Sequence, residues 1–316
     1  MRGNGKRIIA ALWLAVSLGQ VATALGQART VYQTGFEAEH DFDIEFTLIG
    51  QDGWEGEGTG GNGLVENNFA DMGQQAYLGY WPPEEDGETF TSLWQPVDAI
   101  EPEETRITAK VLLMFVDSTN GHRDDFRWTL YNDNVQRLVT LDFDTVTRNI
   151  NYALDDDLFL PTGYSFEFEA LYDLTFVMDF AANSWTVSVG EQDIISEKKL
   201  TTKGTRLAFG DLGPTWVYRD PENPGDNYLV FDDYRVTAER GAPKPTTLEW
   251  AGWVEDGGAL LRLDGNAATD QIIEYSGDLV NWHALETVEA GDTGAEIEDI
   301  DAPDYEQRFY RARTAE

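Results

Sequence analysis

Beyond residue 28 this chain is built from short runs in which apolar side chains recur at every second position, and Gly, Asn, Asp or Pro breaks each run after a few residues. A period of two buries one face of an extended strand and cannot make the continuous stripe that a helix needs, so the chain reads as all-β. Arg106 to Val116 is one such strand and Phe126-Arg-Trp128-Thr-Leu130-Tyr is another. Leu138 to Phe143 and Asn149 to Leu154 flank Asp144-Thr-Val-Thr, and Leu174 to Phe180 and Ser184 to Val189 flank Ala181-Ala-Asn183, so each pair predicts a hairpin. Leu207-Ala-Phe209 and Tyr228 to Ala238 supply the last strands of this region. One weak helical turn is expected near Asp98 to Glu104, and Pro102 works against it.

The absence of cysteine removes disulfide scaffolds, thiolate zinc sites, iron–sulfur clusters and cysteine nucleophiles together. Stability has to come from packed cores or bound ions. With 58 Asp+Glu against 22 Lys+Arg the formal charge is -36, which repels phosphate backbones and anionic headgroups and argues against nucleic acid and electrostatic membrane docking. The 41% hydrophobic and 12% aromatic content argues against a disordered chain.

Arg2, Lys6 and Arg7 precede the apolar run Ile8 to Gly19, and the small residues Ala22, Ala24, Gly26 and Ala28 follow. That order is the order of a secretory signal peptide, assigned to residues 1–28, and the run is too short to span a bilayer. The expected product is exported to the periplasm or exterior, with nothing to hold it to a membrane. Pro243 and Pro245 mark a stiff linker at 241–245. Residues 246–316 then show about five short strands, which predicts a small second sandwich after a larger one at 29–240. The tail carries 4 basic and 17 acidic residues, and residues 29–244 carry 15 and 41, so the acidity belongs to the whole surface.

Met178-Asp-Phe-Ala-Ala-Asn183-Ser-Trp185-Thr-Val187-Ser-Val189 resembles a hairpin of the concanavalin A-like lectin/glucanase superfamily, in its laminin G-like branch. Tyr228-Leu-Val-Phe231-Asp232-Asp233-Tyr234-Arg-Val236 is similar to the closing strand of such jelly rolls, and Thr34-Gly-Phe36-Glu37 to the opening one. In the tail, Ile272-Ile-Glu-Tyr275-Ser-Gly-Asp278-Leu-Val-Asn-Trp282 followed by Arg308-Phe-Tyr-Arg311-Ala resembles the fibronectin type III-like modules that end secreted proteins of Verrucomicrobia and related bacteria. The resemblance implies a concanavalin A-like jelly-roll sandwich followed by a spacer or adhesion module. It also implies a structural calcium pinning the first strand to the last, which places Glu37 and Asp232 or Asp233 as ligands, only one of the two Asp pointing inward if alternation holds. Two acidic loops compete for such an ion: Asp117-Ser-Thr-Asn120-Gly-His-Arg-Asp124-Asp125 and Asp220-Pro-Glu-Asn-Pro-Gly-Asp226-Asn227.

A polysaccharide or glycoconjugate would be held by aromatic planes with Asp and Asn beside them. Tyr80-Trp81-Pro-Pro and Trp216-Val-Tyr218 stand in Pro/Gly-rich surroundings, where Trp81 and Trp216 are either exposed sugar platforms or aromatics that pack their loops, whereas Trp128, Trp185 and Trp282 fall in alternating strands and are expected in cores. A glucanase of the superfamily needs Glu-x-Asp-x-Glu along one strand. The nearest approach is Asp41-Phe-Asp43-Ile-Glu45, with a shorter Asp in the nucleophile's place, so the solvated face of an edge strand is the better reading. His40, His122 and His283 are scattered, with neither a Gly-x-Ser-x-Gly elbow nor zinc-ligand spacing. The expectation is a secreted, non-catalytic glycan-binding or adhesion protein. A hydrolase or lyase of the same fold and a purely structural envelope or matrix protein are the alternatives.

Overall fold

The computed structural model describes residues 28–97, 100–155, 158–241, 247–254, 257–264, 270–289, 295–305 and 307–315. The leader at 1–27 and nearly all of the Pro linker therefore lie outside the described residues. The chain divides into two compact units, with the boundary in sequence after Gly241.

The first unit contributes β1 (Arg29–Thr34), β2 (Glu55–Glu57), β3 (Asn62–Glu66), β4 (Gln74–Gly79), β5 (Phe90–Trp94), β6 (Arg106–Val116), β7 (Asp125–Tyr131), β8 (Arg137–Phe143), β9 (Asn149–Leu154), β10 (Leu160–Ser165), β11 (Tyr172–Asp179), β12 (Ser184–Val189), β13 (Gln192–Lys198), β14 (Asp211–Val217) and β15 (Tyr228–Glu239). They form two antiparallel sheets. One runs β13-β12-β11-β6-β15-β4-β3 with β1 also on β15, and the other runs β10-β9-β8-β7-β14-β5-β2. The chain crosses repeatedly between the sheets, as in a jelly-roll β-sandwich. Alternation explains the packing: Ile107, Ala109, Val111, Leu113 and Phe115 of β6 and Phe126, Trp128 and Leu130 of β7 are buried in one core between the sheets. An aromatic cluster fills its centre, with Phe231 between Phe36 at 5.4 Å, Trp54 at 5.8 Å and Trp128 at 5.8 Å. The contacts to Phe36 and Trp128 are edge to face and add about 1 kcal/mol each beyond burial.

The expected hairpins are present as β8–β9 and β11–β12. Leu207-Ala-Phe209 is not a strand; the strand begins at Asp211. Gly213 and Pro214 disguise it, because both are poor strand residues. They are accommodated since β14 is registered with β5 only from Thr215 to Val217, and Gly213 lies so close to Leu93 that any Cβ would collide with the Leu93 carbonyl. Ile100 to Thr105 contains a turn and no helix; Asp98 and Ala99 lie outside the described residues.

The second unit has six strands: β16 (Thr247–Trp253), β17 (Ala259–Asp264), β18 (Gln271–Ser276), β19 (His283–Val288), β20 (Ala295–Asp299) and β21 (Phe309–Thr314). They make two three-stranded sheets, β16-β17-β20 and β19-β18-β21. Leu261, Leu263, Ile273, Val288 and Ile297 form its buried core. Trp282 is not among them. It is half-buried at the surface, its indole N–H donating to the Leu279 carbonyl at 3.2 Å and its ring under the Arg311 guanidinium at 4.0 Å. Its expected place as core anchor is thus corrected: Trp282 precedes β19 and so does not follow that strand's alternation.

Candidate functional site: the polar face of the seven-stranded sheet

Register carries one row of side chains across the seven-stranded sheet: Glu57 opposite Ser92, Ser92 opposite Thr215, Thr215 opposite Arg127, Arg127 opposite Asp142 and Asp142 opposite Asn151. The rows on either side, through Trp128 and Leu141, point into the core, so this row points away from it. Its members are cross-linked. Ser92 and Thr215 hydroxyls meet at 2.8 Å, and the Asp142 carboxylate accepts from Arg127 Nε at 3.0 Å and from Asn151 Nδ2 at 3.1 Å. Phe159 stacks on the Arg127 guanidinium at 4.7 Å. At the β8 and β9 end Thr140 and Ala153 are buried, so the face is closed there. At the β5 and β2 end it is open, with Glu55 and Glu57 exposed and Phe90 and Trp94 half-buried. Trp94 is oriented by its indole N–H, which donates to Glu55 Oε2 at 3.2 Å.

Asp211 shares this face, opposite Tyr131 on β7. Burial, reinforced by the negative charge of Glu55, pushes its carboxyl up to about 7. One carboxyl near half-protonation at neutral pH, in the field of a second, is an arrangement able to donate and accept a proton.

The aromatic platforms expected from the sequence separate. Tyr80 and Trp81 are exposed, at 44% and 60%, in edge-to-face contact at 4.8 Å, with Tyr80 resting on Tyr228. Trp216 and Tyr218 are corrected: Trp216 is 0% exposed and Tyr218 4%, the two rings packed edge to face in the core. Trp216 lies in β14 opposite Phe126, so alternation turns it inward, and the Tyr218 hydroxyl is hydrogen-bonded to Thr91. Neither presents a stacking surface. Trp54 is likewise buried.

Glu37, Asp232 and Asp233 converge on a fork in the eight-stranded sheet. β15 pairs with β4 from Tyr228 to Phe231 and with β1 from Tyr234 to Ala238. Between them Asp233 takes φ 50° and the register against β6 shifts. The bulge breaks the expected alternation, so both Asp side chains approach Gly35, while Glu37 lies against Gly73 and accepts from the Gln74 amide at 3.4 Å. Asp232 is 2% exposed; burial, with the charges of Asp233 and Glu37 added, pushes it up to about 7. Among the described residues no three His, Asp or Glu side chains form a ready metal-ligand group. The donors here are nevertheless all hard oxygens, and the buried Oε1 of the adjacent Gln74 has no hydrogen-bond partner. Their chemistry suits calcium.

The two competing acidic loops, about a hundred residues apart in sequence, are one structure. Asp226 accepts from the Ser118 hydroxyl at 2.6 Å, from the backbone N–H of Thr119 and Asn120, and from the Thr119 hydroxyl. Burial opposes its ionisation, but these donors hold it down at about 2. Asp124 accepts from the Arg219 and Gly225 amides, and Asp117 pairs with Arg123. These carboxylates are occupied by N–H and O–H donors, the opposite of an open cation site. Asp41 to Glu45 forms turns, not a strand, and its charged residues are exposed, so this segment is not a period-two acid array. His40 and His122 are exposed, and His283 packs beside Tyr275 at 5.4 Å.

Trp94 and Asp211 were not visible as site residues in the sequence. Thr91-Ser-Leu93-Trp94 alternates legibly, but which face meets the core follows only from the strand pairing.

No protein-family model matches the chain, and no curated protein matches it in sequence. Among solved structures it is similar to a sialidase, with a TM-score of 0.43, 9% identity and coverage of 58% of this chain and 17% of that one. It is also similar to the lectin UEA-II complexed with galactose, with a TM-score of 0.41, 10% identity and coverage of 66% and 97%. A third is the catalytic domain of a glycoside hydrolase family 131 protein from Coprinopsis cinerea, with a TM-score of 0.43, 11% identity and coverage of 66% and 94%. The chain thus spans less than a fifth of the sialidase. A likeness of this degree carries no argument about what the chain binds or does.

Proposed function

We propose that this is an exported glycan-binding protein that reads a polysaccharide or glycoconjugate without altering it. The observation that supports this is the outward row of hydroxyl, guanidinium, carboxylate and amide groups on the seven-stranded sheet, with Phe90 and Trp94 half-buried at its open end. Sugars need this pairing of fixed polar groups with aromatic planes. Tyr80 and Trp81 add an exposed stacking surface. The leader at 1–28 supports export, and the three-plus-three strand sandwich of the tail supports a fibronectin type III-like spacer or adhesion module. Glu37, Asp232 and Asp233 would hold a structural calcium, with amide or main-chain oxygens completing its shell. Among the described residues no helix is long and apolar enough to cross a membrane.

The test is a polysaccharide pull-down and glycan array with calcium present, comparing the wild type with Trp81→Ala and Trp94→Ala variants of unchanged melting temperature. Retention of the wild type that neither variant weakens removes the proposal.

A second reading, a hydrolase or lyase of the same fold, is favoured by one observation: Asp211 and Glu55 share the sheet face, with the carboxyl of Asp211 pushed up to about 7. Release of reducing or unsaturated ends that is abolished by Asp211→Asn, with binding retained, would establish it in place of the first.

A further inference from the structure

In a chain of net charge -36, three of the six lysines fall within six positions, and residues 198–206 hold four basic and no acidic side chains. The first of them, Lys198, ends β13, an edge strand of the eight-stranded sheet. Beside it β10 is the edge of the other sheet. Both edges are irregular. β10 shifts register against β9 between Pro161 and Tyr164, and β13 shifts twice against β12. Strands kinked in this way do not close on each other, and a cleft of about 290 Å³ remains between them.

The cleft is lined by Tyr152, Thr162, Tyr164, Asp193, Ser196 and Lys198, with Ile194 and Ile195 at its back. Lys198 Nζ stands 5.6 Å from the Tyr152 ring, and that ring is braced from the core by Trp185 at 6.3 Å. Asp193 is held by the Ser188 hydroxyl at 2.7 Å and keeps lone pairs for further donors. Of the other basic groups in the run, Arg206 is committed to Asp133 at 2.8 Å. The Thr162 hydroxyl donates to the Ile150 carbonyl at 2.6 Å and accepts from the Tyr164 amide at 3.1 Å, and Tyr152 is buried beneath Lys198, so the cleft offers a single cation, a fixed carboxylate, the Ser196 hydroxyl and the Tyr164 ring.

We propose that this cleft between the open sheet edges binds one anionic pyranose, its charged group on Lys198, its hydroxyls on Asp193 and Ser196, and a C–H face against Tyr164. An apolar ligand would strand those polar groups. A multiply charged phosphate ligand would meet one cation within a strongly negative surface. A sugar carrying one carboxylate or one sulfate matches both the charge and the hydroxyl acceptors. The site is separate from the polar sheet face and stands or falls independently of it.

The experiment is calorimetric titration of the full mature chain at low salt with methyl glucuronide, a monosulfated methyl galactoside and neutral methyl glucoside. Saturable binding of at least one anionic sugar is expected, about tenfold or more above the glucoside, and lost by a similar factor in Lys198→Gln. Lys199→Gln, outside the cleft, should leave affinity within about twofold. Preference for the glucuronide or the sulfated sugar identifies the anionic group. The proposal is overturned if neither anionic sugar saturates, if the neutral glucoside binds equally well, or if Lys199→Gln costs as much as Lys198→Gln, which would reduce the effect to the diffuse field of the basic run.

Discussion

Replacing Asp211 by Asn should stabilise the larger unit, and by an amount that depends on pH. In the folded chain burial, reinforced by the charge of Glu55, lifts the Asp211 carboxyl from 3.8 to about 7. Folding thus disfavours the ionised form, and between about pH 4 and 7 the native state holds more protons than the unfolded chain. The stability tied to this group is present below pH 4 and is lost as pH rises through 7. A shift of about 3 units at 1.36 kcal/mol each sets an upper bound of about 4 kcal/mol. Water reaching a half-buried carboxyl reduces this to about 2 kcal/mol, which for a unit of this size is roughly 4–8 °C in melting temperature. The assay is urea or thermal unfolding from pH 4 to 8. Asp232 titrates with the same sign in the same window, so the wild-type curve falls for two reasons, and the difference between wild type and variant isolates Asp211. That difference should be near zero at pH 4 and reach its plateau above pH 7. Parallel curves would refute the placement of Asp211 on a desolvated face beside Glu55.

Trp216→Ala removes a fully buried ring and should cost about 3–5 kcal/mol in urea unfolding; a loss of glycan binding at unchanged stability would contradict its place in the core. Calcium at a hundredfold excess over its dissociation constant should stabilise the wild type by about 2.7 kcal/mol, and a melting temperature that chelator leaves unchanged would remove the calcium site. The same titration on Asp232→Asn should show most of that gain lost. Asp226→Ala leaves the Ser118, Thr119 and Asn120 donors without their acceptor, so limited proteolysis should cut first in 117–125 or 220–227; an unaltered cleavage map would show that the two loops do not hold each other.

Much of the larger sandwich is legible strand by strand. β6, the β8–β9 and β11–β12 hairpins and β15 all appear in local alternation, because a strand that buries one face writes its period into consecutive residues. β14 is not legible in this way. Gly213 and Pro214 look like a loop until the partial registration with β5 shows where the absent Cβ and absent N–H cause no conflict. The same disguise made Trp216 and Tyr218 look like surface platforms. In the tail Trp282 reads as core because its flanks alternate, although its ring ends under Arg311 at the surface.

What the sequence alone determined is the all-β class, the uniform negative charge and the absence of any cysteine chemistry, since these depend on residue type and on neighbours one or two positions away. Tertiary structure decided which side of each strand is a site. Alternation defines two faces but does not label them; only pairing across β2, β5, β14, β7, β8 and β9 lines Ser92, Thr215, Arg127 and Asp142 into one outward row. Likewise, whether an acidic loop is free to take a cation depends on partners about a hundred residues away: Asp226 is spent on Ser118 and Thr119, while Asp232 is left buried beside other negative charge. Such long-range assignments carry no local signal, because the energy of a carboxylate is set by whatever the fold brings next to it.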